Sequence, residues 1–216
     1  MIKNNTKKRI LTSIILLIMT SIMIFSNFIT AYFLIIFGVF SLIEFFTISD
    51  KIFIKNKFRY LVNFFFSAYI ILFCYIFFLF SFHPGLKIVL YITILGCVAS
   101  DIGGFVFGRI FKGPRLTKIS PKKTLSGAVG SIVLTCFIIS ILTYIYLNNF
   151  YFHIIIVSIL ISTVSQIGDL FFSLLKRKAR IKDTGTVLPG HGGVLDRVDG
   201  ILLGVPIGLL LFIFIF

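Results

Sequence analysis

Acidic residues are scarce in this sequence: seven Asp and Glu stand against 21 Lys and Arg, and only 13% of the 216 residues are charged. Soluble domains run to about a quarter charged residues. With 58% hydrophobic residues and a mean hydropathy of +1.10, the chain has too little polar surface to cover a water-soluble core. Trp is absent, while Phe occurs 28 times. Cys is limited to Cys74, Cys97 and Cys136, all inside apolar runs. Their spacing fits no metal or redox motif, so they read as small packing residues. No repeat, low-complexity tract or soluble domain is visible. No nucleic-acid-binding motif accompanies the formal charge of +14, so no nucleic-acid partner is expected.

What the sequence does have is long apolar runs, each near the roughly 20 residues a membrane span requires. They read as spans over 10–26, 28–48, 60–82, 88–108, 126–147, 151–170 and 200–216, with a turn at Asn27. The first run lacks an A-x-A-like cleavage site and a second follows at once, so it reads as a retained span rather than a signal peptide. The expected architecture is an all-α polytopic integral membrane protein of about seven transmembrane helices. Residues 1–100 supply spans one to three and the start of span four. Residues 101–216 form the remaining transmembrane region with a loop over 173–199; the 171–199 segment, the longest between spans, has room for a short interfacial helix.

The cations support this count. In a seven-span layout, the N-terminus and the loops after spans two, four and six share one side. Together they hold 20 of the 21 Lys and Arg, leaving Lys87 opposite. The positive-inside rule then puts the N-terminus and these loops in the cytoplasm. Anionic lipid or nucleotide phosphate is a better partner for such charge than nucleic acid.

The few acids fall unevenly. Asp50 sits in a basic loop and reads as solvated; Glu44, near the end of span two, reads as interfacial. Asp101 lies inside span four, roughly 11 Å from its cytoplasmic end at 1.5 Å per residue. An ionisable group there needs a cavity or a partner. Asp169 closes span six, and Asp196 and Asp199 open span seven on one helix face. Asp101, Asp169, Asp196 and Asp199 are therefore expected together in the cytoplasmic third of the bilayer. Oxygen ligands of this kind suit a hard ion such as Mg²⁺ shared with substrate phosphates. Lys122, Lys123, Lys176, Arg177, Lys182 and Arg197 stand near the same surface, where phosphate binding competes with a plain topology or lipid-headgroup role. The glycine-rich stretch 189–193 permits close backbone approach to an anion. His191 within it either donates to a phosphate or caps the turn. His83 and His153 fall in the opposite loops.

Read as a whole, S-L-L-K-R-x4-K-D-x-G-x3-P-G-H-G-G-V-L-D-R-V-D, Ser173 to Asp199, resembles the signature of the phosphatidate cytidylyltransferase (CDP-diacylglycerol synthase) family. D-I-G-G-F-V-F-G-R-I-F-K-G from Asp101 and I-S-P-K-K-T-L-S-G from Ile119 resemble two further family segments in the same order. The resemblance covers about 101–205. Ile102, Ser126 and Phe172 stand where the family usually has Ser or Thr, Glu or Gln, and Glu.

The resemblance implies a nucleotidyl transfer: CTP and phosphatidic acid give CDP-diacylglycerol and pyrophosphate, with Mg²⁺ as cofactor. It implies metal on Asp169 and Asp196, with Asp101 and Asp199 as ligands or their immediate support. Lys122, Lys123, Lys176, Arg177, Lys182 and Arg197 would hold triphosphate and lipid phosphate. His191, Gly192 and Gly193 would shape the phosphate loop. The catalytic set is then Asp169, Asp196, Lys182, His191 and Arg197. The expected setting is a bacterial inner membrane, with CTP, phosphatidic acid and the bilayer as partners; a second cation and a homodimer are left open. Two alternatives predict other signs. A related CTP-dependent enzyme would accept another anionic or isoprenoid lipid. A secondary transporter would carry midplane carboxylates and internal repeats.

Overall fold

The computed structural model describes residues 15, 18–54, 56–117, 119–188 and 192–215. Six helices of 21 to 28 residues account for most of them: α1 (Asn27–Ile52), α2 (Phe58–Phe82), α3 (Pro84–Phe111), α4 (Leu125–Leu147), α5 (His153–Lys178) and α6 (Leu195–Ile215). Each is long and apolar enough to cross a bilayer, and no strand occurs among the described residues. The chain is an all-α, polytopic membrane protein. This is the form a bilayer demands, because a helix satisfies its backbone polar groups internally. Of the expected first span, residues 10–14, 16 and 17 lie outside the described residues; within it, 18–25 are helical. The break falls at Ser26, whose Oγ accepts from the N–H of Ile29 as the N-cap of α1, one residue before the expected turn.

The chain groups into two compact units. The first comprises Met1–Lys87 and Leu175–Val198, the second Ile88–Leu174 and Asp199–Phe216. Leu175–Val198, the heart of the signature, thus belongs with the N-terminal helices.

In the first unit α1 and α2 pack through aromatic rings. Phe45 stacks on Phe66 with centroids 3.6 Å apart, and Phe37 meets Phe73 at 6.0 Å. Lys87, the cation that falls apart from the rest, donates to Asn27 Oδ1 at 3.1 Å.

Small residues govern packing in the second unit. Helices in lipid gain little from apolar burial against one another, so close backbone approach and interhelical hydrogen bonds take over. A Cβ on Gly103 of α3 would come to 2.6 Å of Gly130 O on α4. On α6, Gly200, Gly204 and Gly208 recur every fourth residue, and a Cβ on each would strike Ser165, Cys97 or Thr93 at 2.5–2.6 Å. Ser131 Oγ donates to Ser100 O at 2.6 Å, and the Ser100 and Ser162 hydroxyls bond at 2.9 Å. Cys74, Cys97 and Cys136 are unbridged and buried or half-buried, as their packing role requires.

α5 overruns its expected end. It continues nine residues past Asp169 to Lys178. It stops where Arg180 turns left-handed (φ 54°), letting the N–H of Ile181 return to Lys176 O at 3.0 Å. Residues 171–178, expected to open a loop with a short helix at the interface, are the end of α5. Asp169 is therefore an interior residue of α5 rather than its last.

Candidate functional site

In the second unit the segment from Lys112 to Thr124 turns the chain from α3 into α4. α3 ends on two left-handed residues, Lys112 (φ 52°) and Gly113 (φ 115°). The pairing of Arg115 with Thr124 then closes the segment, with Leu116 N–H donating to Lys123 O at 2.8 Å. Ser126 Oγ donates to Lys112 O, so the residue that replaces the family's Glu or Gln ties the two ends of this segment. Thr124 caps α4 by accepting from the N–H of Gly127 at 3.2 Å. Lys122 and Lys123 are thereby presented just ahead of a helix N-terminus, where backbone dipoles also favour an anion.

Both lysines line a pocket of about 280 Å³, together with Ser100, Asp101, Gln166 and Asp169. Lys123 Nζ pairs with Asp169 Oδ2, and both side chains are about one quarter exposed. Asp169 Oδ1 also accepts from Ser173 Oγ at 3.4 Å. Gln166 is steadied by Ala128 O and Ser162 Oγ at 3.4 and 3.2 Å. Asp101 is on the exposed face of α3 ten residues before its end, and Ile102 beside it is half exposed.

The signature segment in the first unit builds a second polar cluster around Asp196. Lys176, in the last turn of α5, reaches Asp196 Oδ1 at 2.6 Å. Asp196 Oδ2 receives the N–H of Thr184 at 2.7 Å, the N–H of Gly193 at 3.1 Å and lies 3.1 Å from Thr184 Oγ1. The pair is well buried, with 14% of the Lys176 and 5% of the Asp196 side chain accessible. The antiparallel pairing of Leu188 with Gly192 closes the loop, and Gly192 holds a φ of 87° that a larger side chain would strain. Arg177, Lys182 and Arg197 lie exposed around this cluster. His191, with Pro189 and Gly190, lies outside the described residues.

The backbone N–H groups of this loop do hold anions, but the anions are the protein's own. Gly193 serves Asp196. Val194 and Leu195 serve Glu44, at 2.8 and 2.9 Å. Glu44, expected at the interface, is 3% exposed and fully engaged. That correction has a physical cause: three donors and the start of α6 replace the water a carboxylate would otherwise need. No local feature of the apolar run around Glu44 announces partners 140 to 151 residues away.

The four expected metal carboxylates are divided by these units. Asp101 and Asp169 share one pocket. Asp199, 8% exposed, has Oδ1 accepting from the N–H of Gly200 at 3.0 Å. Asp196 belongs to the first unit. Among the described residues no three His, Cys, Asp or Glu side chains form a metal-holding group. The side-chain oxygens lining the pocket belong to Asp101, Asp169, Ser100, Thr124, Ser131 and Gln166, a set whose chemistry suits a hard divalent cation.

Comparison with known proteins adds an independent line. The phosphatidate cytidylyltransferase of Rickettsia typhi is 42% identical over 130 residues, which is 56% of this chain and 56% of that protein. The phosphatidate cytidylyltransferase of Helicobacter pylori is 46% identical over 107 residues, 50% of this chain and 40% of that protein. That of Synechocystis is 39% identical over 123 residues, 55% of this chain and 42% of that protein. The chain thus matches about half the length of these curated relatives. The family model described as "Cytidylyltransferase family" matches residues 55–216, three quarters of the chain, and with the signature Ser173–Asp199 inside that match, the protein belongs to the cytidylyltransferase family.

Proposed function

We propose that the chain transfers CMP from CTP to phosphatidic acid, giving CDP-diacylglycerol and pyrophosphate. The observation that carries this reading is the pocket holding Asp101, Asp169, Lys122 and Lys123, in a chain similar to proteins named for that activity. The nucleophile is the lipid's own phosphate, already anionic, so no general base is needed to create it. The task left to the protein is to hold two mutually repelling anions in line and to stabilise charge passing onto the leaving pyrophosphate.

The residues present suit that task. Lys122 and Lys123 would hold the triphosphate at the N-terminus of α4. Lys123 is paired with Asp169, which keeps both charges satisfied until a phosphate takes the lysine. Lys176, backed by Asp196, would hold a second phosphate, with Arg177, Lys182 and Arg197 around it. Asp101 and Asp169 are the proposed holders of Mg²⁺; Asp196 could hold a cation only through Oδ1, which carries Lys176, since Oδ2 is filled by backbone donors. Bound there, the ion would supply Lewis-acid stabilisation of phosphate charge. Asp199 would support α6 from within the fold. The cation distribution supports a cytoplasmic setting for these loops, where CTP arrives, and the bacterial relatives support a cell membrane.

The test is acceptor choice. Purified protein with labelled CTP is offered phosphatidic acid, an isoprenoid ether phosphate and a polyprenol in parallel. Label entering the lipid phase with phosphatidic acid, matched by pyrophosphate release, supports the reading. Transfer to another acceptor alone replaces the substrate assignment, and nucleotide-independent substrate flux in liposomes replaces the class.

A further inference from the structure

Glu44 is a carboxylate buried inside an apolar helix, with no ion pair to it among the described residues, and its surroundings are built to fit it. Oε1 accepts from the N–H of Val194 at 2.8 Å; Oε2 accepts from the N–H of Leu195 at 2.9 Å and from Thr184 Oγ1 at 2.7 Å. Gly185 and Gly193 lie directly against it. A Cβ at 185 would sit 2.6 Å from Oε1, and one at 193 would meet both Oε2 and Thr184 Oγ1. Two of the signature glycines are therefore needed to leave space for this side chain. Helix α6 begins after Val194, which has no side-chain acceptor with which to cap it. Glu44 fills that gap from another helix, α1.

Thr184 links this carboxylate to Asp196. Its hydroxyl has one proton, and the shorter contact, to Glu44, takes it. Its N–H goes to Asp196 Oδ2 at 2.7 Å. The residue thus divides its two donors between the two acids. Asp196 in turn holds Lys176.

We infer that Glu44 is a positioning residue: from α1 it fixes Thr184 and the start of α6, and through them sets the Asp196–Lys176 pair. Its effect on rate rests on the transferase reading; its effect on the loop does not. Glu44→Gln keeps the shape but turns an amide NH₂ toward one of the N–H donors. Glu44→Asp keeps the charge but draws it back by one methylene.

The experiment measures amide hydrogen exchange on the full chain in detergent, alongside transfer kinetics. A hydrogen bond to a charged acceptor protects by more than a factor of about ten. The expectation is at least about tenfold faster exchange in Glu44→Gln for peptides covering 183–197, with α2 and α4 unchanged. kcat should fall by about tenfold or more, and no further fall beyond about twofold should follow when the same change is made in Asp196→Asn, because Glu44 acts through Asp196. Glu44→Asp should recover part of both losses. Should Glu44→Gln fail to fold, Thr184→Val replaces the hydroxyl with a methyl group and should speed exchange at the amides of 184 and 195. Unchanged exchange in 183–197, or equal rate losses in the presence and absence of Asp196, overturns the inference. A wild-type protein that transfers no CMP overturns the transferase reading instead, and the exchange result still decides the role of Glu44.

Discussion

Lys176 Nζ lies 2.6 Å from Asp196 Oδ1, joining the last turn of one helix to the first turn of the next. Each charge also sits at the helix end its sign favours, the cation at a C-terminus and the anion at an N-terminus. Breaking one side of such a pair leaves the other buried and uncompensated. Lys176→Met should therefore cost about 3–5 kcal/mol of stability, read as a lower melting temperature in detergent. Lys176→Met with Asp196→Asn should recover a large part of that loss, since no lone charge remains. Equal losses in the two variants would show that an uncompensated Asp196 charge is not the source of the loss.

Asp169 lines the pocket and holds Lys123. Asp169→Asn should slow CMP transfer by at least about 100-fold, through the loss of a charge from the proposed cation site. Lys123→Met should raise the KM for CTP, because it removes a proposed phosphate contact. Steady-state kinetics on purified variants separate the two effects.

Removing divalent cations tests the oxygen-donor pocket without changing the chain. EDTA should abolish turnover and restored Mg²⁺ should return it, as measured by label in the lipid phase. Turnover that persists in EDTA would reject the proposed cation.

Two glycines should respond in opposite directions to the same methyl group. A Cβ on Gly38 meets only Cys74 Sγ and Ile70 at 3.6 and 3.7 Å, which is ordinary contact. Gly38→Ala should be neutral or stabilise the helix by up to about 1 kcal/mol. A Cβ on Gly103 meets the carbonyl of Gly130 at 2.6 Å, and backbone cannot step aside cheaply. Gly103→Ala should destabilise by about 1–3 kcal/mol. Melting temperatures of the two variants give the comparison.

The spans were legible because hydropathy reports the segments that lipid must surround. It reports them less well at their ends. α5 runs on through Ser173, Lys176 and Arg177 because a helix ends where its hydrogen-bond ladder is capped, here at Arg180, and not where the chain leaves hydrocarbon. Asp169, Lys122 and Lys123 could be named from the sequence as members of one site, since acids and cations are rare and each stands out. Their pairing could not, because it depends on how Lys112–Thr124 folds between α3 and α4. Glu44 was the least legible. Its partners lie 140 to 151 residues away, and its only traces are an acid in an apolar run, a helix start without a cap, and Gly185 and Gly193. Those glycines read equally well as a phosphate loop, because a carboxylate and a phosphate ask the same thing of a backbone N–H.

The most direct test is single-turnover transfer by the purified chain, with labelled CTP, phosphatidic acid in mixed micelles and Mg²⁺. The account predicts label in a CDP-lipid that requires all three components and falls at least about 100-fold in Asp169→Asn. Label that never enters the lipid phase, or enters at the same rate in Asp169→Asn, would contradict it.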